Sequence, residues 1–187
     1  MGDAWVQQLW AWHQFYSLVG TAAATLTGLL FVAVSVAPST VAEGATSGVR
    51  AFVTPTVTYF ATVLVVSALM SVPTIGEQSV GVLLALGGLG AAGYVVSRGG
   101  HRQWRQSNLD RADWLWYVGL PILNYLFVVV AAVGIEMRIT AALHAVAAAM
   151  IAFLVIGIRN AWDLVIWMAQ QTTRRRGESN PPPTSTP

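Results

Sequence analysis

The sequence predicts an all-α, polytopic integral membrane protein with five transmembrane helices. Of its 187 residues, 55% are hydrophobic and only 10% are charged. Soluble domains carry roughly 25% charged residues, so most of this surface is expected to face lipid. A helix needs about 20 mostly apolar residues to cross a bilayer. Five stretches qualify: 15–37, 51–72, 79–97, 114–134 and 139–158.

The apolar stretches favour helices over the strands of a membrane barrel. Barrel strands would alternate between apolar and polar residues over segments of about ten residues. The apolar stretches of this chain are about twice that length and show no such alternation. The five spans are therefore predicted to be helical.

The arginines predict the orientation of the spans. With five spans, the N-terminus and the segments 72–78 and 134–138 share one side, which holds only Arg138. The other nine basic residues lie on the opposite side or at its membrane edge: Arg50, Arg98, Arg102, Arg105, Arg111, Arg159, Arg174, Arg175 and Arg176. Because arginine accumulates in cytoplasmic loops, we expect the N-terminus outside and the C-terminus in the cytoplasm. The absence of lysine is typical of GC-rich coding and indicates a bacterial cytoplasmic (inner) membrane.

Both ends of the chain differ from the spans. Residues 1–14 are predicted to form an amphipathic, Trp-rich interfacial segment, because Trp5, Leu9, Trp12 and Tyr16 fall on one helical face. A five-helix domain is expected over 15–170, with the last helix extending past residue 158 to about residue 170. Residues 171–187 are basic and proline-rich and are predicted to form a disordered cytoplasmic tail.

The sequence contains no pattern that indicates an enzyme. Cysteine and lysine are both absent, and no nucleophile, carboxylate or metal-ligand motif occurs. We therefore predict a non-enzymatic protein without a metal site or bound cofactor. His13 and His144 fall at similar depths in the outer part of the membrane, which leaves a haem site as an alternative.

Small residues recur at helical spacing in two spans. Gly20, Ala24 and Gly28 repeat every four residues in the first span, and Gly81 and Ala85 do so in the third. Small residues let helix backbones come close together in lipid. These five residues are predicted to form helix-packing faces.

Hydroxyl and amide residues form a second pattern. Thr54, Thr58 and Thr62 repeat every four residues in the second span, with Ser67 further along and Asn124 in the fourth span. Threonine can bond to its own helix backbone, so this pattern fits dry packing as well as a polar pathway. Arg159 and Asp163, four residues apart, would then lie at the cytoplasmic mouth.

Two arginine groups are predicted to contact anionic lipid headgroups on the cytoplasmic face. They are Arg98, Arg102 and Arg105 in one loop, and Arg174, Arg175 and Arg176 after the last span. Nucleic acid is not an expected partner.

The first span also carries a resemblance. The run Ala22 to Val36 resembles a segment of small bacterial multi-pass membrane proteins that reads A-x-L-T-G-L-L-F-V-A-x-S, and Asn160 to Trp162 is similar to the end of their last span. The resemblance implies a polytopic inner-membrane protein and supplies no catalytic residues.

These patterns lead to one leading function and two alternatives. The leading prediction is a self-associating scaffold or an accessory or regulatory subunit, partnered by further copies or by another membrane protein. The first alternative is an oligomeric ion channel or small transporter with a path lined by Thr, Ser and Asn. The second is a redox subunit linked to haem or quinone.

Overall fold

The computed structural model describes residues 2–36, 46–72, 74–102 and 115–179. Within these residues all regular secondary structure is helical, which confirms the predicted all-α class. The helices are α1 (Gly2–Val36), α2 (Thr46–Met70), α3 (Glu77–Arg102), α4 (Leu120–Glu136) and α5 (Ala141–Ser179).

Among the described residues, four helices are long and apolar enough to cross a membrane. Their apolar segments are Ala4–Val36, Val53–Met70, Glu77–Ser97 and Ala141–Gln170. The helix α4 is also apolar but has only 17 residues. The length and apolar composition of the individual helices therefore support a helical membrane protein.

Helix α1 joins the predicted interfacial segment and the first span in one element. Its 35 residues correspond to a length of about 52 Å. The face predicted from Trp5, Leu9 and Tyr16 is buried, and Trp12 packs at its edge. The indole Nε1 of Trp5 donates a hydrogen bond to the backbone oxygen of Ile75, at 3.1 Å. This aromatic face therefore packs against the protein itself.

A π-helical turn, Leu115–Gly119, leads directly into α4. Pro121 lies in the first turn of α4. Proline has no N–H for the carbonyl four residues earlier, and its ring would clash with that carbonyl in an ordinary α-helix. That carbonyl belongs to residue 117, within the π-helical turn, so the wider turn accommodates the proline.

A tight turn joins α4 to α5. The backbone N–H of Arg138 bonds to the carbonyl of Ile135, and that of Ile139 bonds to the carbonyl of Gly134, both at 2.9 Å. Arg138 has a φ of 58°, the left-handed conformation that glycine usually provides in this cap. A Cβ on Gly134 would lie 3.0 Å from the Cβ of Ala142, so the two helices leave the turn in close contact.

The helices pack in an order that differs from their order along the chain. Helix α1 packs along α2, α2 along α5, α5 along α4, and α4 along α3. Aromatic rings fill the centre, where the Phe153 ring centroid lies 4.5 Å from that of Tyr125 and 5.9 Å from that of Tyr59. A second apolar cluster of Leu30, Leu164 and Met168 lies nearer the C-terminal part of α5.

The last helix continues beyond the predicted boundary. We expected helix to about residue 170 and a disordered tail from residue 171, but α5 runs to Ser179 and includes Arg174, Arg175 and Arg176. Polar and basic side chains do not prevent a helix from continuing once several turns have formed, because each added residue gains a backbone hydrogen bond. The proline-rich end, 180–187, lies outside the described residues.

Two adjacent glycines in α3 provide a test of this packing. A Cβ on Gly88 would lie 2.9 Å from Cγ2 of Val129 and 3.3 Å from the backbone oxygen of Tyr125, whereas Gly87 has nothing within 4 Å. We expect Gly88→Leu to destabilise the folded chain by about 1–3 kcal/mol, since overpacking must move a backbone. Thermal unfolding in detergent micelles measures the change.

The matched control is Gly87→Leu, which we expect to change stability by less than about 0.5 kcal/mol. Equal losses of stability in the two variants would contradict the observed packing of α3 on α4.

Candidate functional site

The small residues of α1 divide between the interior and the outer surface of the chain. A Cβ on Gly20 would lie 2.9 Å from the Cβ of Ser67, so α1 and α2 make their close approach there. Ala24 is exposed, and Gly28 is exposed with no atom within 4 Å of a Cβ placed on it. Residues four apart advance about 40° around a helix with 3.6 residues per turn. The predicted face therefore turns away from α2 along its length.

Hydroxyl groups beside these outward residues are bonded within α1. The Thr21 hydroxyl donates to the backbone oxygen of Ser17 at 2.8 Å, and the Thr25 hydroxyl donates to that of Thr21 at 2.9 Å. Ser35 bonds to Phe31 in the same way, at 2.7 Å. This outer face therefore offers small, apolar contact surface in spite of its hydroxyl-bearing residues.

The small residues of α3 also lie on both sides of the helix. The Glu136 side chain lies directly over Gly81, and Ala85 is partly buried against the core. The close approach to the backbone of α4 is at Gly88, which the sequence pattern did not single out. Three further glycines of α3, Gly87, Gly90 and Gly93, face outward, and no atom lies within 4 Å of a Cβ placed on them.

The predicted polar residues of α2 and α4 make specific hydrogen bonds. The Thr58 hydroxyl bonds to the backbone oxygen of Thr54 at 2.8 Å, and the Thr62 hydroxyl bonds to that of Thr58 at 2.8 Å. The Thr62 hydroxyl also lies 3.0 Å from the Tyr125 hydroxyl. Nδ2 of Asn124 donates to the backbone oxygen of Ala149 at 2.9 Å. The contact between Thr62 and Tyr125 connects α2 to α4, and the bond from Asn124 to Ala149 connects α4 to α5.

Three other buried side chains have polar atoms without a hydrogen-bond partner among the described residues. They are the Tyr16 hydroxyl, the Ser67 hydroxyl, and both the Oδ1 and Nδ2 atoms of Asn160. Asn160 is only 1% exposed. It lies on one face of α5 between Gly157 and Leu164. A Cβ placed on Gly157 would lie 2.5 Å from the Phe60 ring. A buried polar group without a partner costs about 1–3 kcal/mol.

Arg159, one member of the charged pair predicted at the end of the bundle, contacts an aromatic ring. The Arg159 guanidinium carbon lies 4.6 Å from the ring centroid of Trp116, at the start of the segment that leads into α4. This geometry suits a cation–π interaction. Asp163 is half-buried one turn further along α5.

Each candidate cofactor histidine contacts an indole ring of α1. His13 stacks on Trp10 with ring centroids 5.5 Å apart, and His144 meets Trp12 edge to face at 4.8 Å. Both histidines are exposed. Among the described residues, no group of three or more His, Asp or Glu side chains could hold a metal ion.

The predicted headgroup arginines lie at helix ends or beyond them. Arg98 and Arg102 belong to the last two turns of α3, and Arg174, Arg175 and Arg176 belong to α5. Arg105 lies outside the described residues.

Sequence reasoning did not identify two contacts that connect the helix ends. One is the bond from Trp5 to Ile75, and the other is the ion pair between Nη2 of Arg138 and Oε1 of Glu77, at 2.7 Å. A signal for the second existed, because Glu77 and Arg138 are opposite charges in two short turns at the same end.

Comparison of the chain with protein-family models, curated proteins and solved structures found no match.

The bond between Thr62 and Tyr125 can be tested with a double-mutant cycle. We expect Thr62→Ala and Tyr125→Phe to show a coupling free energy of about 0.5–1.5 kcal/mol, because each variant removes the same hydrogen bond. Reversible unfolding in mixed micelles measures it. The control cycle pairs Thr58→Ala with Tyr125→Phe and should show no coupling, since the Thr58 hydroxyl bonds within α2.

The two buried asparagines should respond in opposite directions to leucine. Asn124→Leu loses its bond to Ala149 and should reduce stability by about 0.6–1.7 kcal/mol. Asn160→Leu removes two buried polar atoms that have no described partner and should raise stability by about 1 kcal/mol. Unfolding of both variants under one condition measures the sign of each change in stability. A loss of stability in both variants would show that Asn160 has a hydrogen-bond partner.

Proposed function

We propose that this chain is a self-associating scaffold or accessory subunit of a bacterial cytoplasmic membrane, acting through helix packing. One observation supports this most strongly: Ala24 and Gly28 face outward on α1 at a spacing of four residues, and Gly28 has open space around it. Small residues at this spacing are typical of interfaces between membrane helices. A second copy is the simplest occupant of this space.

Five spans remain the proposed topology. Four helices satisfy the length requirement directly. The 17 residues of α4, extended by the 5 residues of the preceding π-helical turn, reach the length of about 20 residues that a span needs. The arginine distribution then supports an external N-terminus and a cytoplasmic C-terminus. The resemblance of the first span to those of small bacterial multi-pass proteins agrees with this location.

The chemistry of α1 suits contact with another helix better than contact with water. Its outward hydroxyls already bond to their own backbone, so they require neither water nor a polar partner. Leu29, Phe31 and Val32 are exposed beside Gly28 and supply apolar flanks. Such a face can bring two α1 helices into van der Waals contact without burying an unsatisfied polar group.

An oligomeric channel is the second candidate. The observation that favours it is the set of buried polar atoms on Tyr16, Ser67 and Asn160, which belong to the neighbouring helices α1, α2 and α5. Water would satisfy these atoms, and a hydrated path along the bundle would supply it. The hydroxyls of Thr58 and Thr62, in contrast, already have partners.

Single cysteines test self-association cleanly, because the natural chain has none. We expect Ala24→Cys and Gly28→Cys to form disulfide-linked dimers on mild oxidation in membranes, since close α1 helices bring their Cα atoms within about 7 Å. Ala23→Cys is the matched control, because Ala23 is fully buried within the chain. Absence of dimers at both 24 and 28, or equal dimer formation at 23, would contradict the proposal.

A bulky residue in the same face should separate the copies. Gly28→Leu, combined with Ala24→Cys, is expected to reduce disulfide dimers severalfold while leaving the unfolding temperature unchanged, because its Cβ meets no atom within 4 Å. Ion flux into liposomes distinguishes the second candidate. Flux that Asn160→Leu abolishes would favour the channel, whereas silent liposomes with intact dimers would favour the scaffold.

A further inference from the structure

An arginine of α5 stacks on a tryptophan at the end of the bundle that lies away from the turn between α4 and α5. The guanidinium carbon of Arg159 lies 4.6 Å from the ring centroid of Trp116. Arg159 is exposed, and Trp116 is half-buried in the π-helical turn before α4. The contact follows from the antiparallel packing of α4 on α5. Asn124 bonds to Ala149, and Trp116 meets Arg159 eight residues before the first and ten residues after the second.

The stacking does not use the hydrogen-bonding edge of the guanidinium. The N–H donors of arginine lie in the plane of the guanidinium, whereas a cation–π contact uses one of its faces. A ring against one face also restricts the side chain, so less conformational entropy is lost when a ligand binds. A planar guanidinium held in this way suits the bidentate recognition of a phosphate.

The position of Arg159 along α5 matches the depth of lipid phosphates. Arg159 comes 18 residues after Ala141, the first residue of α5, which corresponds to about 27 Å. The hydrocarbon core of a bilayer is about 30 Å thick. Trp162 is exposed within one turn of Arg159, where an interfacial tryptophan is expected. Val155 and Ile151, one and two turns closer to the membrane centre, are exposed apolar side chains.

The charge at this end of the bundle is positive. With the five-span topology proposed above, nine arginines and five acidic residues belong to this end and give it a net charge of +4. One arginine and three acidic residues give the other end a net charge of −2. Asp163, half-buried one turn beyond Arg159, is a negative charge that a bound anion has to overcome. The net charge of this end favours an anionic ligand.

We propose that Arg159 and Trp116 form a binding site for the phosphate of an anionic phospholipid, such as phosphatidylglycerol. The guanidinium of Arg159 donates to two phosphate oxygens, and Trp116 holds the guanidinium in place. One acyl chain lies along Val155 and Ile151. A free phosphate or a soluble headgroup shares the phosphate chemistry but lacks the acyl chain, so it binds more weakly. The site uses none of the small residues of α1 and therefore does not depend on self-association.

Native mass spectrometry of the full-length chain in detergent micelles provides the test. Dioleoyl phosphatidylglycerol and dioleoyl phosphatidylcholine are added in equal amounts, and the bound lipid is identified by mass. We expect phosphatidylglycerol to be retained about fivefold over phosphatidylcholine, the effect of one arginine near an anionic headgroup. The soluble headgroup glycerophosphoglycerol, at the same concentration, should not displace it. Equal retention of the two lipids, or displacement by the soluble headgroup, would overturn the proposal.

Variants of arginine separate a specific site from a diffuse positive surface. Arg159→Gln should reduce the retention of phosphatidylglycerol about tenfold, because it removes the charge-assisted hydrogen bonds. Arg159→Lys keeps the charge without the planar pair of donors and should recover only part of this loss. Arg174→Gln is the matched control, because it removes the same charge from the same helix, and it should retain the lipid. Equal losses in Arg159→Gln and Arg174→Gln would overturn the proposal.

A double-mutant cycle tests the role of Trp116. Trp116→Leu should lower lipid retention severalfold in the natural chain and have no further effect together with Arg159→Gln, because Trp116 acts through Arg159. Asp163→Asn should raise retention, since it removes a nearby negative charge. Unfolding temperatures of all variants are measured alongside, because a folding defect from Trp116→Leu would lower retention in both backgrounds. Independent losses from Trp116→Leu and Arg159→Gln would contradict the proposed site.

Discussion

The structure depends on glycines at which the backbone of one helix contacts a side chain of the neighbouring helix. Apolar helices gain little from the hydrophobic effect when lipid surrounds them, so close packing has to supply the attraction. Gly157 accepts the Phe60 ring, Gly88 lies under Val129, and Gly20 meets Ser67. The contact at Gly157 brings α2 and α5 together, and Tyr59 and Phe153 stack one turn away. The central aromatic cluster thus follows from the glycine beside it.

The positions of the helices along the chain were predictable from the sequence. The face by which each helix contacts its neighbour was harder to predict. The predicted stretches correspond to the five helices because the length of an apolar run is a property of the run itself. The partner of each glycine depends on where a helix is rotated and which helix lies beside it. A repeat of four residues drifts by about 40° per step, so Gly20 lies inside and Gly28 outside although both belong to one pattern. The contact at Gly88 therefore had no clear signal in spacing alone.

The polar residues show a similar limit. The repeat Thr54, Thr58 and Thr62 was compatible with a pathway or with dry packing, and the backbone bonds of Thr58 and Thr62 explain why spacing alone could not decide. The bonds that leave a helix, from Thr62 to Tyr125 and from Asn124 to Ala149, require knowledge of which side chains share a depth. The ion pair of Glu77 with Arg138 was closest to being predictable, because two short turns at one end restrict the possible partners.

Two kinds of contact are incomplete in the described chain: hydrogen bonds in its interior and helix packing on its surface. Inside, Asn160 keeps two buried polar atoms without a described partner, although Asn124, a similar side chain, bonds across to the next helix. Outside, Gly28 of α1 and Gly87, Gly90 and Gly93 of α3 present open surface that no described helix covers. Each feature costs stability or forgoes packing in an isolated chain. In the self-associated form that we propose, a neighbouring helix would cover these glycines, and water would satisfy Asn160.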